Sequence, residues 1–241
     1  MRLRVEVSTG VREIPWDGVL GPGRAVCYGL LAAGAPGLGR KLHDEGWGPH
    51  GMVPFGFSGP VFPSAERRRG VYAAGGRGWL ELGSPLPEVV AAWSVGLARQ
   101  RLLDWGGVAL RVHGVALVER PASPGRVRLR ARTPVVLKGS GRDGDGVRKT
   151  RQAWLLPTDV EFPAYFVGNL RRKAETLGMD GAVELDRIVW VGAKRSFAVG
   201  DGLKPGAPVE VELSGDARVL DAVRDWGLGQ ANSAGFGWVA A

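Results

Sequence analysis

The 241-residue chain has a single cysteine, Cys27, and only three histidines, His43, His50 and His113. One cysteine cannot close an internal disulfide, and so few thiols and imidazoles exclude a cysteine-based zinc site and any conventional transition-metal cage. The apolar stretches are short and broken by glycine, so none is long enough to span a bilayer. The opening MRLRVEVSTG alternates charged with β-branched residues and lacks the apolar centre of a secretory signal. A cytoplasmic protein with no membrane attachment is therefore expected. Neither nucleotide-binding motif is complete. Gly34 and Gly39 are followed by Arg40, Lys41 and Leu42, not by the Gly-Lys-Ser/Thr of a phosphate loop. The glycine run Gly227–Gly237 follows a helical pattern, whereas a dinucleotide fingerprint follows a strand and opens a further βαβ unit. No cofactor is implied.

Apolar residues make up 44% of the chain, enough to build a core, while the 39 glycines are more than twice the average share of about 7%. They follow no triplet period, so they read as turn and loop devices. Lys and Arg outnumber Asp and Glu by 32 to 24, a net charge of +8 that favours a polyanionic partner.

Hydrophobic periodicity gives the organisation. Residues 2–8 alternate as a strand, 24–33 and 38–45 read as two helical pieces around a Gly/Pro break, and 51–63 and 70–83 hold strands. Residues 87–105 carry an apolar helical face that Gly106 and Gly107 stop, and 108–118 is a strand. After the PASPG linker at 121–125 the same order returns: strand 126–138, helix 159–178, strands 183–199 and 208–213, helix 216–226 and a terminal strand 236–240. The expected fold is α+β, two tandem ferredoxin-like (βαββαβ, RRM-like) domains over 1–120 and 126–241.

Each half carries +4, but residues 126–151 alone hold nine basic and two acidic side chains. Arg126, Arg128, Arg130 and Arg132 alternate with Val127, Leu129 and Ala131, so period two sets all four guanidiniums on one strand face. Like charges so close repel, and a phosphate backbone would supply their counter-ions. Lys138, Arg142, Arg148, Lys149 and Arg151 extend the basic segment into a glycine-rich loop. Arg67-Arg68-Arg69 forms a smaller basic cluster in a loop, and Arg171-Arg172-Lys173 another at a helix turn. A charged, solvated edge that resists aggregation is the competing reading of the Arg126–Arg132 face.

The most specific local signal is Gly227-Leu-Gly229-Gln-Ala-Asn-Ser-Ala-Gly235-Phe-Gly237, a stretch of backbone amides with little side-chain cover that could approach an RNA backbone. Taken with Arg132-Thr-Pro-Val-Val-Leu-Lys138, with Phe162 through Asn169-Leu170, and with Tyr28 and His43 around a broken helix, it resembles a known family. The chain resembles the CRISPR-associated endoribonucleases that cut precursor CRISPR transcripts within each repeat, the sixth Cas family of the RAMP superfamily. The likeness spans nearly the whole chain.

The resemblance implies a reaction without metal or cofactor. A ribose 2′-OH attacks the adjacent phosphate, leaving a 2′,3′-cyclic phosphate and a 5′-OH. It makes His43 the general acid/base at the leaving 5′-oxygen, because imidazole titrates near neutrality. Tyr28 would orient or activate the 2′-OH. Where the family often supplies a lysine soon after the histidine, residues 44–52 contain none. Lys41 points away from His43 on a helix, whereas Arg40, three residues earlier, shares its side and is the third candidate. His50 is a further candidate, and His113 reads as structural. The implied RNA-binding residues are the Arg126–Arg132 face, Lys138, Arg142, Arg148, Lys149, Arg151 and the glycines Gly227, Gly229, Gly235 and Gly237. The implied partner is CRISPR repeat RNA, with other Cas proteins as further candidates, for a monomer or a homodimer. The alternative function is a non-cleaving RAMP subunit that holds repeat RNA in a larger ribonucleoprotein.

Overall fold

The computed structural model describes residues 1–139, 154–199 and 202–240. Its contacts form two units, one of Met1–Trp47, Val53–Arg120 and Ser233–Gly235, the other of Gly48–Met52, Pro121–Asn232 and Phe236–Ala241. Nothing in the sequence patterning marks 48–52 or 233–235 as departures from the simple division into halves.

The first unit contains β1 (Arg2–Thr9), β2 (Glu13–Ile14), α1 (Gly21–Gly34), α2 (Pro36–Asp44), β3 (Gly56–Phe57), β4 (Tyr72–Ala73), β5 (Gly76–Gly83), α3 (Pro87–Arg99), β6 (Leu102–Trp105) and β7 (Val108–Leu117). Its main sheet runs β3-β5-β1-β7-β6, with every neighbouring pair antiparallel. Without the edge strand β6 this is the fourth-first-third-second order of a ferredoxin-like βαββαβ unit. Leu3, Val5 and Val7 of β1, Leu80 and Leu82 of β5, Cys27, Leu30 and Leu31 of α1, and Val89, Trp93 and Leu97 of α3 are buried as its core. Helices α1 and α3 touch backbone to backbone. A Cβ on Gly34 would lie 2.0 Å from Ala92 O, and one on Gly96 would lie 2.5 Å from Leu30 O.

One expectation changes here. The pattern over 87–105 predicts a single helix, but α3 ends at Arg99 and Gln100 takes an extended backbone. Leu103 and Trp105 are buried while Leu102 and Asp104 are exposed, the alternation of a strand. Gly106 (φ +63°) and Gly107 (φ +88°) join Trp105 to its partner Val108 in a two-residue hairpin turn. The paired glycines turn a hairpin rather than stop a helix.

The second unit contains β8 (Arg126–Arg130), β9 (Leu137–Lys138), β10 (Trp154–Leu155), α4 (Phe162–Thr176), β11 (Val183–Val191), β12 (Arg195–Val199), β13 (Gly202–Gly206), β14 (Val209–Gly215) and α5 (Ala217–Trp226). Its main sheet is antiparallel in the order β11-β14-β8. Residues 238–240 take the fourth position beside β8, where Arg132 N donates to Trp238 O (2.7 Å) and Ala240 N to Arg130 O (3.0 Å). The expected terminal strand 236–240 is thus reduced to a single Ala131–Val239 bridge, but it stands where a second βαββαβ unit needs it. The expected continuous strand 126–138 breaks at Thr133 and Pro134, since proline has no N–H for the ladder and Thr133 Oγ1 instead accepts from Trp238 N (2.8 Å). The expected strand 183–199 divides into β11 and a separate β12–β13 hairpin. Phe162, Phe166 and Leu170 of α4, Val209, Val211 and Leu213 of β14, and Val219, Leu220 and Val223 of α5 form the core. Asp216 caps α5, its Oδ1 accepting from the amides of Arg218 (2.8 Å) and Val219 (3.3 Å). Among the described residues no helix is long and apolar enough to cross a membrane.

Candidate functional site

Helices α1 and α2 meet at Ala35, whose non-helical backbone (φ −151°, ψ 77°) lets Pro36 start the second helix in a new direction. That bend brings Tyr28 and His43 together. Their rings lie edge to face, 5.3 Å between centroids at 76°. Tyr28 in turn packs edge-on against Phe55 (5.5 Å), and Phe55 against Trp93 (5.5 Å). Trp93 is fixed by its Nε1 donating to Cys27 O (3.0 Å). A file of aromatic rings thus runs from the core to His43, whose side chain is 62% exposed. His43 Nδ1 lies 2.9 Å from Asp44 Oδ1, while Nε2 has no described hydrogen bond.

Burial pushes the Tyr28 phenol above its ordinary pKa, opposed by the charge and hydrogen bond of Arg24. Tyr28 therefore stays a protonated phenol at neutral pH, fit to donate and orient rather than to act as a phenolate base. Its hydroxyl donates to Leu42 O over a long 3.4 Å. The Arg24 guanidinium sits 5.6 Å from the Tyr28 ring centroid. Sequence reasoning missed Arg24, although its place one helical turn before Tyr28 is the signal that could have found it. Arg40 is exposed on α2, and no described contact ties it to Tyr28 or His43. Lys41 instead lies over Trp47, 4.5 Å from Nζ to the ring centroid. His50 belongs to the second unit, its Nε2 2.5 Å from Glu175 Oε2, and His113 Nε2 sits 2.7 Å from Ser8 Oγ on the first sheet.

In the second unit Arg126, Arg128 and Arg130 do share an exposed face, but the premise that they lack counter-ions is corrected. β14 sets Glu210 opposite Arg130 and Glu212 opposite Arg128. Arg128 Nε reaches Glu210 Oε1 at 2.5 Å, Arg130 the same carboxylate at 3.8 Å, and Arg126 reaches Asp186 at 3.3 Å. Arg187 of β11 binds Glu212 through two hydrogen bonds of 2.8 Å, which hold that carboxyl below its ordinary pKa. Arg130 also stacks on Trp190, 4.6 Å from the ring centroid. This face is a lattice of opposite charges, not a column of one sign. Arg132 and Lys138 are exposed beyond it. Arg142, Arg148, Lys149 and Arg151 lie outside the described residues.

The glycine loop is likewise placed differently from its reading as an open cradle of amides. Gly227, Gly229, Gly235 and Gly237 are all buried with positive φ. A Cβ on Gly237 would stand 1.8 Å from Leu228 O, and one on Gly229 would stand 2.8 Å from Val136 O. The amides of Gly227 and Gly237 donate inside the protein, to Val223 O (2.7 Å) and Pro134 O (2.9 Å). Close packing against the chain itself is what requires glycine here. Beneath the loop lies Lys173, which the charge pattern groups with solvated Arg171 and Arg172 but which is wholly buried. Its Nζ donates to Gly227 O (2.5 Å) and Asn232 Oδ1 (2.7 Å), and Asn232 Nδ2 donates on to Leu228 O (3.0 Å) and Phe236 O (2.9 Å). One lysine and one asparagine thereby clip both arms of the loop to α4.

Residues 118–241 match the family model described as CRISPR associated protein Cas6, C-terminal. Among solved structures, one described as CRISPR associated protein Cas6 superposes with a TM-score of 0.79 at 22% identity, covering 100% of this chain and 98% of the other. An RAMP protein described as binding different RNA substrates gives 0.78 at 15% identity, covering 99% and 98%. A Cas6-related protein from Pyrococcus furiosus gives 0.76 at 18% identity, covering 100% and 97%. At these identities the structures establish the shared fold. No curated protein sequence matches the chain.

Proposed function

The chain belongs to the Cas6 family of CRISPR-associated proteins, and from that premise we propose that it is an endoribonuclease that binds precursor CRISPR RNA and cuts it within the repeat. The observation that carries this reading is the Tyr28–His43 pair, an exposed imidazole against a half-buried phenol that is backed by the buried rings of Phe55 and Trp93. In the reaction the ribose 2′-oxygen gives its proton to water and bonds to the adjacent phosphorus. The P–O5′ bond breaks and the 5′-oxygen takes up a proton, giving a 2′,3′-cyclic phosphate and a 5′-OH. His43 Nε2 is the proton donor to the leaving oxygen. Tyr28, kept protonated by burial, aligns the reacting 2′-OH through its own hydroxyl. Negative charge builds on the phosphate oxygens in the transition state and needs a cation. Arg24, its guanidinium 5.6 Å from the Tyr28 ring centroid, is better placed for that than Arg40. Arg132 and Lys138 supply exposed phosphate contacts, and the buried glycine loop keeps their segment in place through Gly237 N to Pro134 O (2.9 Å).

The test is cleavage of end-labelled repeat RNA in excess EDTA by wild type and His43→Ala. Cutting that leaves a cyclic phosphate and disappears in the variant while binding persists is the expected result. Tight binding with no cutting by wild type would refute the nuclease and leave a subunit that only holds repeat RNA.

A further inference from the structure

The first unit carries a basic and aromatic patch that the Tyr28–His43 pair does not use. β2 pairs with β4, setting Glu13 opposite Ala73 and Ile14 opposite Tyr72. Ala74 N also donates to Arg12 O (3.0 Å), which brings the Arg12–Trp16 segment against the chain that leaves Arg67-Arg68-Arg69. The Trp16 ring stands edge-on to Tyr72, 5.5 Å between centroids at 81°. Tyr72 is anchored by its hydroxyl donating to Pro60 O (2.6 Å), yet Trp16 remains 43% exposed. On these segments and at the start of β5, Arg12, Arg67, Arg68, Arg69 and Arg77 are all exposed. The sequence here holds three carboxylates against five arginines, Glu13, Glu66 and Asp17 beside Trp16, and Glu13 reaches Arg68 only at 3.7 Å. The β8 face matches its arginines with carboxylates in register; here the positive charge is in excess.

We propose that this patch binds single-stranded RNA, Trp16 stacking on one base while the flanking arginines hold phosphates. An exposed indole among guanidiniums offers a flat π face and charge together, the combination that holds single strands without reading their sequence. Paired RNA keeps its bases stacked and offers no face to the indole, so the ligand is unpaired. The proposal rests on the RNA-processing function proposed above. It assigns the patch to an unpaired stretch of the transcript flanking the repeat.

Binding by the full chain is measured with three labelled RNAs: the bare repeat, the repeat with an unpaired extension of about ten nucleotides, and an oligouridylate of about twelve, lengths within the usual span of single-strand sites. Wild type should prefer the extended to the bare repeat by roughly tenfold or more, the worth of one stacked base. Trp16→Ala and the triple variant Arg67→Ala/Arg68→Ala/Arg69→Ala should each bring that ratio close to one and weaken oligouridylate binding. The triple variant should also flatten the log–log salt dependence by about two, from three lost contacts at about 0.7 each, whereas Trp16→Ala should leave the slope alone. If Trp16→Ala fails to fold, the triple variant, whose side chains are all exposed, decides the matter. Unchanged affinity ratio and salt slope in that variant would overturn the proposal and leave the patch to an acidic protein surface. If wild type neither binds nor cuts the bare repeat, the processing function fails, while the oligouridylate still judges the patch.

Discussion

Replacing Lys173 by methionine asks how strongly the glycine loop depends on its buried clip. The amine is 0% exposed, and burial lowers its pKa well below the ordinary lysine value. Trp226, 4.8 Å from Nζ, favours the charged form. A cation–π contact is worth about 2 kcal/mol at most in such a setting, whereas taking a charge out of water costs several kcal/mol, so burial wins. The amine donates to both Gly227 O and Asn232 Oδ1. Methionine keeps most of the volume but leaves both acceptors buried and unpaired, at about 1–3 kcal/mol each. Relief of the amine's own desolvation offsets part of this, for a net loss of about 2–5 kcal/mol. For a chain of this length that lowers Tm by roughly 5–15 °C. Because the folded-state pKa lies below the unfolded one, the unfolded state binds more protons in the window between them. Wild-type stability therefore rises as pH climbs from the lowered value towards about 10.4. The variant lacks this titration, so the gap in Tm should widen with pH. Calorimetry at several pH values checks both points; a variant melting within about 2 °C of wild type, or a gap that narrows with pH, would refute the argument.

Four further outcomes are measurable by thermal or denaturant unfolding. Gly237→Ala places a methyl 1.8 Å from Leu228 O at φ +63° and should cost at least about 3 kcal/mol or prevent soluble expression. By contrast Gly168→Ala, inside α4 with no atom within 4 Å of its Cβ, should stabilise by about 0.5–1 kcal/mol. Gly106→Asn should destabilise although Asn-Gly suits such hairpins, because its Cβ would lie 2.6 Å from Pro22 Cγ. Arg128→Ala, at an exposed ion pair with Glu210, should shift stability by less than about 1 kcal/mol.

What was legible in the sequence was the order of elements and the pairing of Tyr28 with His43, because both follow from local pattern and chain resemblance. Period and breakers located β1, α1, α2, β7 and α5 closely. The misreadings share a cause: the deciding partner is remote. Residues 102–105 suit a helix until β7 returns beside them, and Gly106-Gly107 signals a stop and a hairpin equally well. The arginines of β8 look uncompensated in a linear reading because Glu210 and Glu212 stand some eighty residues further on. Lys173 reads as solvated beside Arg171 and Arg172, since only the returning loop at Gly227 and Asn232 gives it acceptors. Arg24 stands one helical turn before Tyr28, whereas the resemblance points to cations close to His43 in sequence.

The position of residues 238–240 beside β8 also sets a timetable for synthesis. Ala131 is made long before Val239, its bridge partner, and at roughly 5–20 residues per second the delay is about 5 to 20 seconds. For that interval β8 has an open edge on which the strand of another nascent chain could settle. Glu210 and Glu212, which later bond with its arginines and with Arg187, also emerge only towards the end of the wait. Until then Arg128 and Arg130 lack the carboxylate they later share, and two such edges on neighbouring ribosomes repel. The charges that become rungs of the finished sheet first serve as its chaperone.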